Sequence, residues 1–365
     1  MNFPFRQSLL KEVKSYASHT PLSTERTIDL SLGVNPFGCP PQVRETVKSI
    51  DYSHISDYPH SKVLHEAIAA YWSDIAPIST DEIHTANGSV CGLYYLCNIF
   101  SGAGRKEVVG FVPTFTDMVE AVKNYGLTYK GVPCRLGEGG AECAEDIIKA
   151  LSPDTAFVYI DRPNNPLGLT MDLSEVEKVI IAARKNGSFV LMDEAYGDFI
   201  PREEASIVFR PKYDNLIVSK TFSKGLGLAN LRVGYIIADK EIVNIISKTL
   251  NPYVVSDISR NICSAALNDK LYGASHAEDF AAVKKKVRES IGRRIVMLNT
   301  DDRVPICTLK LKNGGDLQAE LMKYDLLTVS GVEFEALDES CVRLRVPEEK
   351  YTDEFIERLI EADKA

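Results

Sequence analysis

Residues 215–238 read NLIVSKTFSKGLGLANLRVGYIIA. Two β-rich apolar runs, 215–219 and 233–238, enclose a turn that is rich in glycine and in hydroxyl-bearing side chains. The turn is a near match to the dinucleotide-binding pattern Gly-x-Gly-x-x-Gly, but Asn230 stands in place of the third glycine. This departure argues against a nicotinamide site and leaves another use for the turn to be identified.

Lys224 lies in this turn, next to the hydroxyl groups of Thr221 and Ser223, and Arg232 follows eight residues later. A lysine amine can form a Schiff base with a carbonyl group, while hydroxyl groups and a guanidinium can hold a phosphate. Pyridoxal phosphate combines a carbonyl group with a phosphate. The turn therefore predicts a site for that cofactor.

Around this segment, short β-rich runs alternate with helical patterns between residues 80 and 250. The further runs lie at 107–112, 155–160 and 188–192, and a helix is predicted over 172–186, where Gly187 is suited to end it. Such alternation predicts a large α/β domain, with a mostly parallel sheet covered by helices on both faces.

Beyond residue 250 the pattern changes. A long charged helix is predicted over 277–298, then strands near 306–311, 326–330 and 341–346, and a last helix from Thr352. These elements predict a smaller α+β domain. The expected division is an N-terminal arm that belongs partly to the small domain (1–34), a large cofactor-binding domain (35–250) and a small C-terminal domain (251–365).

Polar residues follow three of the predicted strands. Asn165, Asp193 and Lys224 are separated by 28 and 31 residues, each about the length of one βα unit. Since functional groups collect beyond the carboxyl ends of parallel strands, an amide, a carboxylate and an amine should line one edge of the sheet. The turn at 87–90 (NGSV), followed by an apolar helix, exposes backbone N–H groups that suit a phosphate, although a simple helix cap is the alternative.

Composition narrows the classes of function. The 365 residues include 42 Lys and Arg against 51 Asp and Glu, and this net charge of −9 disfavours nucleic-acid and anionic-membrane partners. No apolar run approaches the length of a membrane span, and the N-terminus lacks the pattern of a targeting peptide. The eight cysteines are scattered without a Cys/His cluster, so we expect a cytoplasmic protein with no metal site.

Taken in order, the motifs resemble the fold-type I pyridoxal-phosphate enzymes, within the class I/II aminotransferases. The similarity is greatest to the histidinol-phosphate aminotransferase branch and its threonine-phosphate decarboxylase relatives, and it implies a seven-stranded type of sheet. Besides the opening segment, the motifs are VNPFG (34–38), DYPHSKVLHEAI (57–68), NGSV (87–90), PTF (113–115), RPNNPLG (162–168), DEAY (193–196) and VRLRV (342–346).

This resemblance implies roles around the cofactor ring. Lys224 would carry the Schiff base, and its rival Lys220 lacks a following glycine-rich turn. Asp193 would pair with the pyridinium nitrogen. Tyr196 and Asn165 would form hydrogen bonds with the ring oxygen, and Phe115 would stack on the ring.

The resemblance also implies how the phosphate and the substrate are held. The phosphate-binding residues would be Gly88, Ser89, Val90, Thr221, Ser223 and Arg232, with Tyr58 reaching in from a second subunit. This implies a homodimer with shared active sites. Arg343 would bind the substrate carboxylate, with Arg345 as its rival on the same strand face, and Asn35 would also contact the substrate.

The implied activity is ping-pong transamination between a small-molecule amino donor and a keto acid, with an amino acid or an amino-alcohol phosphate as substrate. The alternatives are decarboxylation of a phosphorylated amino acid, a lyase or cyclisation reaction on a specialised amino acid, and a non-catalytic cofactor-binding protein. Val34, Cys91 and Leu167 depart from the family pattern. The first of these weakens the case for histidinol phosphate itself.

Overall fold

The computed structural model describes residues 24–136, 143–249 and 252–365. Its strands are β1 (Ile28–Asp29), β2 (Ile83–Ala86), β3 (Glu107–Val112), β4 (Thr128–Pro133), β5 (Thr155–Asp161), β6 (Phe189–Asp193), β7 (Leu216–Thr221), β8 (Gly234–Ile237), β9 (Ile295–Met297), β10 (Ile306–Leu311), β11 (Leu326–Leu327), β12 (Val329–Ser330) and β13 (Cys341–Arg345). Its helices are α1 (Pro41–Lys48), α2 (Val63–Trp72), α3 (Ser89–Phe100), α4 (Thr116–Asn124), α5 (Ala144–Ala150), α6 (Leu173–Asn186), α7 (Lys240–Ser247), α8 (Asp257–Ala266), α9 (Ala277–Ser290), α10 (Leu317–Met322) and α11 (Thr352–Lys364).

The larger sheet has seven strands in the order β2-β8-β7-β6-β5-β3-β4. β8 runs antiparallel to both of its neighbours, and every other neighbouring pair between β7 and β4 is parallel. The predicted mostly parallel sheet is therefore confirmed. The predicted helix at 172–186 is confirmed as α6, which ends at Gly187 in the left-handed conformation.

Both faces of this sheet are covered, because alternate residues of each buried strand pack on opposite sides. In β5, Phe157 and Tyr159 pack with α3, α4 and α7, whereas Val158 and Ile160 pack with α5 and α6. At the β2 and β8 edge, α2 and α8 complete a third cluster. The polar ends of β5, β6 and β7 are left at one rim of the sheet.

The smaller sheet is antiparallel, in the order β12-β13-β10-β9, and α9, α10 and α11 pack on it. β1 pairs in parallel with β11, so Ile28 and Leu30 join the core of this C-terminal unit. The boundaries of the predicted domains stay a prediction. Residues 1–23 of the predicted N-terminal arm, and the predicted boundary at 250–251, lie outside the described residues.

The helix predicted over 277–298 is too long. α9 ends at Ser290, and Gly292 has a positive φ that is not helical. The carboxylate of Asp363 in α11 accepts hydrogen bonds from the backbone N–H groups of residues 292–295, which directs the chain into β9. A contact from a residue some 70 positions away thus overrides the local helical pattern.

Among the residues that the structure describes, none of the helices has the length and apolar character that crossing a bilayer requires.

Candidate active site

A cavity of about 230 Å³ lies at the carboxyl ends of β5, β6 and β7. This is the rim at which the strand-end rule places functional groups. Ten of the residues predicted from sequence line it: Ser89, Val90, Phe115, Asn165, Asp193, Tyr196, Thr221, Ser223, Lys224 and Arg232. Asp117, Asp161, Pro163 and Ala195 line it as well.

Lys224 is half-buried in the turn that follows β7. The turn is closed by a hydrogen bond from the backbone N–H of Gly227 to the carbonyl oxygen of Lys224, at 3.0 Å. The Nζ atom of Lys224 lies 5.4 Å from the ring centroid of Tyr196, the last residue of the motif DEAY. The amine is therefore accessible within the cavity and held close to an aromatic ring.

Lys220, the rival lysine, lies in a different environment. Its Nζ is 3.0 Å from Oδ1 of Asp198 and 3.6 Å from Oε2 of Glu194, and its side chain is only 1% exposed. Burial alone would lower the pKa of Lys220, but the two carboxylates raise it. Arg162 approaches the same Glu194 at 3.7 Å. These four residues, which we call the buried ion cluster, connect the chain segments at the ends of β5, β6 and β7.

Asp193, the last residue of β6, is buried at the floor of the cavity. Its Oδ2 accepts a hydrogen bond from the hydroxyl of Tyr159 at 3.1 Å, and its Oδ1 accepts one from the backbone N–H of Ala195 at 3.2 Å. Burial, reinforced by the neighbouring Asp161, raises the pKa of Asp193 to about 7. A cation placed against this carboxylate would favour its ionised form.

Asn165 follows β5 and presents a buried polar atom to the cavity. Its backbone N–H donates to Asp161 at 2.8 Å, but its Oδ1 has no hydrogen-bond partner among the described residues. A buried amide without a partner is costly, so this atom indicates a polar ligand in the cavity. Phe115 and Tyr196 provide aromatic surface on the same cavity. Leu167, one of the departures from the family pattern, is fully buried in the core.

A group of residues suited to hold an anion, which we call the anion-binding corner, lies at the start of α3. Gly88 adopts a φ of +79°, and a Cβ there would lie 2.7 Å from Nη2 of Arg232. Ser89 and Val90 open the helix, whose N-terminus favours a negative charge. Nη1 of Arg232 donates to Oγ of Ser223 at 3.2 Å, and Ser223 accepts a second bond from Thr221 at 3.0 Å.

The two candidate arginines on β13 have different contacts. Arg345 donates to the carbonyl oxygens of Val346 (3.2 Å) and Asp29 (3.1 Å), and the second bond ties the end of β1 to the smaller sheet. Arg343 is fully buried, and a Cβ added to Gly33 would lie 3.4 Å from its Nη1 and collide with the hydroxyl of Tyr196. Arg343 and Tyr196 thus meet beside Gly33.

Four predicted site residues are not among those that line the cavity, namely Gly88, Arg343, Asn35 and Tyr58. Asn35 is buried, donates to the carbonyl oxygen of Gly225 (2.8 Å) and accepts from the N–H of Phe37 (3.0 Å), so it supports the turn that carries Lys224. Tyr58 is 72% exposed and is not among the residues lining this cavity. Their predicted contacts with substrate and phosphate stay predictions.

Sequence reasoning missed Asp117, Tyr159 and Asp161. A signal for Asp161 was present, because it directly follows the run TAFVYI and is the first polar residue after that strand. The predicted site instead included the asparagine four residues later, Asn165. Tyr159 lies inside a strand-like run, where nothing local distinguishes a core tyrosine from a functional one.

Comparison with known proteins identifies the chain's relatives. The profile of the family described as "Aminotransferase class I and II" matches residues 25–359. The chain belongs to the class I and II aminotransferase family. It is 28% identical to the histidinol-phosphate aminotransferase of Pyrococcus furiosus, an alignment that covers 96% of this chain and 97% of that protein. The resemblance found in the sequence motifs is therefore confirmed.

Solved structures show that the aminotransferase has the expected fold. The histidinol-phosphate aminotransferase of Clostridium acetobutylicum superposes with a TM-score of 0.80, at 21% identity, over 92% of this chain and 99% of that one. The L-threonine-O-3-phosphate decarboxylase of Porphyromonas gingivalis superposes with a TM-score of 0.77, at 19% identity, over 93% of this chain and 100% of that one. The predicted fold type I is confirmed.

Proposed function

We propose that this aminotransferase binds pyridoxal phosphate in the cavity at the ends of β5, β6 and β7 and transfers an amino group from a small amino donor to a keto acid. The observation that carries the proposal is the meeting of Lys224, buried Asp193 and the anion-binding corner in one cavity. When bound, the cofactor supplies an aldehyde that condenses with amines and a ring that withdraws electrons from the substrate Cα.

The residues of the cavity fit the three parts of this cofactor. Asp193 would hold the positive charge of the ring nitrogen, which suits its buried carboxylate. Oδ1 of Asn165, which lacks a partner among the described residues, would accept a hydrogen bond from the hydroxyl form of the ring oxygen, and Tyr196 would contact that same oxygen. The phosphate would lie at the start of α3, where Ser223 and Arg232 already meet.

Lys224 and Arg343 would act on the substrate. Lys224 Nζ would take the proton from the substrate Cα as a general base and return it to the neighbouring carbon of the cofactor as a general acid. The guanidinium of Arg343 would bind the α-carboxylate of the substrate through a bidentate pair of hydrogen bonds. The engagement of Arg345 with two backbone carbonyls supports Arg343 in this role.

We further propose an amino-alcohol phosphate or a related amino acid as substrate. The match to histidinol-phosphate aminotransferases over nearly the whole chain supports this class. Decarboxylation of a phosphorylated amino acid is the second candidate, and the superposition on a threonine-phosphate decarboxylase is compatible with it only at the level of fold.

The test is a set of half-reactions. Purified protein loaded with pyridoxal phosphate is mixed with single donors, namely histidinol phosphate, L-glutamate, L-aspartate and O-phospho-L-threonine. Transamination removes the visible absorption band of the bound cofactor in proportion to the carbonyl product formed. Decarboxylation releases carbon dioxide and leaves that absorption band unchanged after turnover. Release of carbon dioxide without a carbonyl product contradicts the proposed reaction. Lys224→Ala should lack the visible band of the wild-type cofactor.

We also infer that two copies share their active sites. Tyr52, Ile55, Tyr58 and Tyr253 are all more than two-fifths exposed, and the rings of Tyr58 and Tyr253 lie 4.9 Å apart. An exposed aromatic patch of this kind favours an interface. From this patch, Tyr58 would reach the phosphate of the other subunit.

The eight free thiols agree with a cytoplasmic location.

Mixed dimers test this sharing. Lys224→Ala and Tyr58→Ala each damage every site of their own homodimers. In a mixed dimer, one site receives both defects and the other receives none, so equal amounts of the two variants should restore about a quarter of the wild-type sites after random reassociation. If Tyr58 served its own chain, activity would not rise above the residual activity of Tyr58→Ala.

A further inference from the structure

Asp161 is a second buried acid beside Asp193. In the register of the parallel strands β5 and β6, Asp161 is the direct partner of Asp193, so the two carboxyl groups lie side by side at the ends of neighbouring strands. Asp161 is 4% exposed and Asp193 is 2% exposed. Two carboxyl groups at neighbouring positions in a low dielectric repel each other when both are ionised.

The hydrogen bonds of Asp161 join the two loops that flank the cavity. Its Oδ1 accepts from Oγ1 of Thr114 at 2.7 Å and from Nδ2 of Asn164 at 3.0 Å. Its Oδ2 accepts from the backbone N–H of Asn165 at 2.8 Å. Because Thr114 directly precedes Phe115, the carboxylate of Asp161 holds both the loop that carries Phe115 and the loop that carries Asn165.

An uncharged anchor would serve these loops less well. An asparagine at 161 offers one acceptor oxygen, and its NH₂ group would face either the hydroxyl of Thr114 or the N–H of Asn165. Three donated bonds favour the carboxylate form of Asp161, yet burial still raises its pKa to about 6. The negative charge is therefore retained at a cost in desolvation that a purely structural anchor does not need.

On the basis of the function proposed above, we propose that Asp161 is a positioning residue of the cofactor site: it holds the loops of Phe115 and Asn165 and, through the repulsion between its charge and Asp193, makes the site select a ring that carries a positive charge. A cationic ring nitrogen against Asp193 relieves the repulsion between the carboxylates. A neutral ring of the same shape leaves that repulsion in place or requires a proton to be taken up.

Several charged or titratable groups face Asp193. Tyr159 and Asp161 approach from β5, and Glu194 directly follows Asp193 beyond the end of β6. The charged groups on the rest of the cavity wall are Asp117, Lys224 and Arg232. Since the acids next to Asp193 share its sign, removing the charge of Asp161 should make Asp193 ionise at lower pH.

The test compares two ligands, pyridoxal phosphate and its carbocyclic analogue in which the ring nitrogen is replaced by C–H. Their dissociation constants are measured with apoprotein by fluorescence quenching, at pH 8 and pH 6. Wild-type protein should prefer pyridoxal phosphate, and this preference should decrease at pH 6 as protons compete for the pair of acids. Asp161→Asn should reduce the preference at pH 8 by roughly tenfold, which is the equivalent of one pKa unit.

Thr114→Val is the matched control, because it removes one hydrogen bond to Asp161 and keeps the charge. It should weaken both ligands by the same factor and leave the preference unchanged. If Asp161→Asn also weakens both ligands equally, Asp161 is only an anchor and the proposal is wrong. Should that variant fail to fold, a wild-type preference that is flat between pH 8 and pH 6 would overturn the proposal by itself. Binding of neither ligand by wild-type protein contradicts the proposed function instead.

Discussion

Replacement of Lys220 by methionine should strongly destabilise the protein without touching the cavity. Lys220 is the central cation of the buried ion cluster, with carboxylate oxygens of Asp198 and Glu194 at 3.0 and 3.6 Å. At an effective dielectric constant of about 20, Coulomb's law gives attractions of about 5.5 and about 4.6 kcal/mol at those distances. The desolvation of the ammonium group, which methionine avoids, offsets part of this.

The net loss should be about 3 to 5 kcal/mol in the free energy of unfolding at pH 8, as is typical when one partner of a buried pair is removed. Burial raises the pKa of Asp198, and Lys220 opposes this rise. Without Lys220 the folded-state pKa rises further above the unfolded value. The native variant then binds more protons than its unfolded chain, so its deficit relative to wild type should shrink as the pH falls from 8 towards 5.

The assay is urea unfolding followed by far-UV circular dichroism at pH 8, 6.5 and 5. Lys149→Met is the matched control, because its ion pair with Glu145 spans 3.7 Å with both side chains more than 70% exposed. That control should lose less than about 1 kcal/mol at every pH. A loss below about 1 kcal/mol for Lys220→Met, or a large loss that stays the same from pH 8 to pH 5, would refute the reasoning.

Three further predictions concern the arginines of β13 and two buried groups of the smaller unit. Arg343→Gln should raise the KM for amino donors at least tenfold, whereas Arg345→Gln should mainly lower the thermal midpoint, because Arg345 donates a hydrogen bond to the carbonyl oxygen of Asp29. Steady-state kinetics and thermal melts of both variants measure this, and they would show the reverse pattern if the two arginines had exchanged roles. Asp363→Asn should cost about 2 kcal/mol at pH 7. Burial alone would raise the pKa of Asp363, but hydrogen bonds from four backbone N–H groups outweigh it and lower that pKa, so the advantage of wild type should decrease as the pH falls below about 4. Urea unfolding at pH 7 and pH 3 measures the difference between the two proteins, and an equal difference at both would contradict this. Burial lowers the pKa of Lys284 to about 8, so between pH 8 and 10.5 the native state binds fewer protons than the unfolded state. In urea unfolding over that range, the free energy of unfolding of wild type should rise by up to about 3 kcal/mol relative to that of Lys284→Met. Parallel pH profiles of the two proteins would contradict the lowered pKa.

Much of the site could be predicted because of the way a parallel sheet is built. The polar residues after three successive β-rich runs are far apart in the chain, but the carboxyl ends of parallel strands meet at one rim. Asn165, Asp193 and Lys224 therefore lie on the same cavity, as their spacing predicts. Their chemical types, together with the hydroxyls around Lys224, indicate the cofactor class without any coordinates.

Other features depended on contacts that no local pattern encodes. The end of α9 is set by Asp363, which lies near the C-terminus and captures the N–H groups that a longer helix would have used. Arg343 and Arg345 are alike in the sequence, and they differ only in which backbone or side-chain groups the fold brings next to them. Local pattern determines the kind of element but not its tertiary neighbours.

The strand periodicity and the order of polar strand ends were thus sufficient for the α/β architecture and for the rim at which Asn165, Asp193 and Lys224 meet. The roles of Lys224 and Asp193 at the cofactor are implied by the resemblance to the family and stay predictions. The tertiary structure alone decided that Lys220 is engaged with two acids and that Asp161 stands level with Asp193. The second depends on the register between β5 and β6. That register is set by packing across the whole sheet, so a strand's own sequence does not reveal which residue lies beside which.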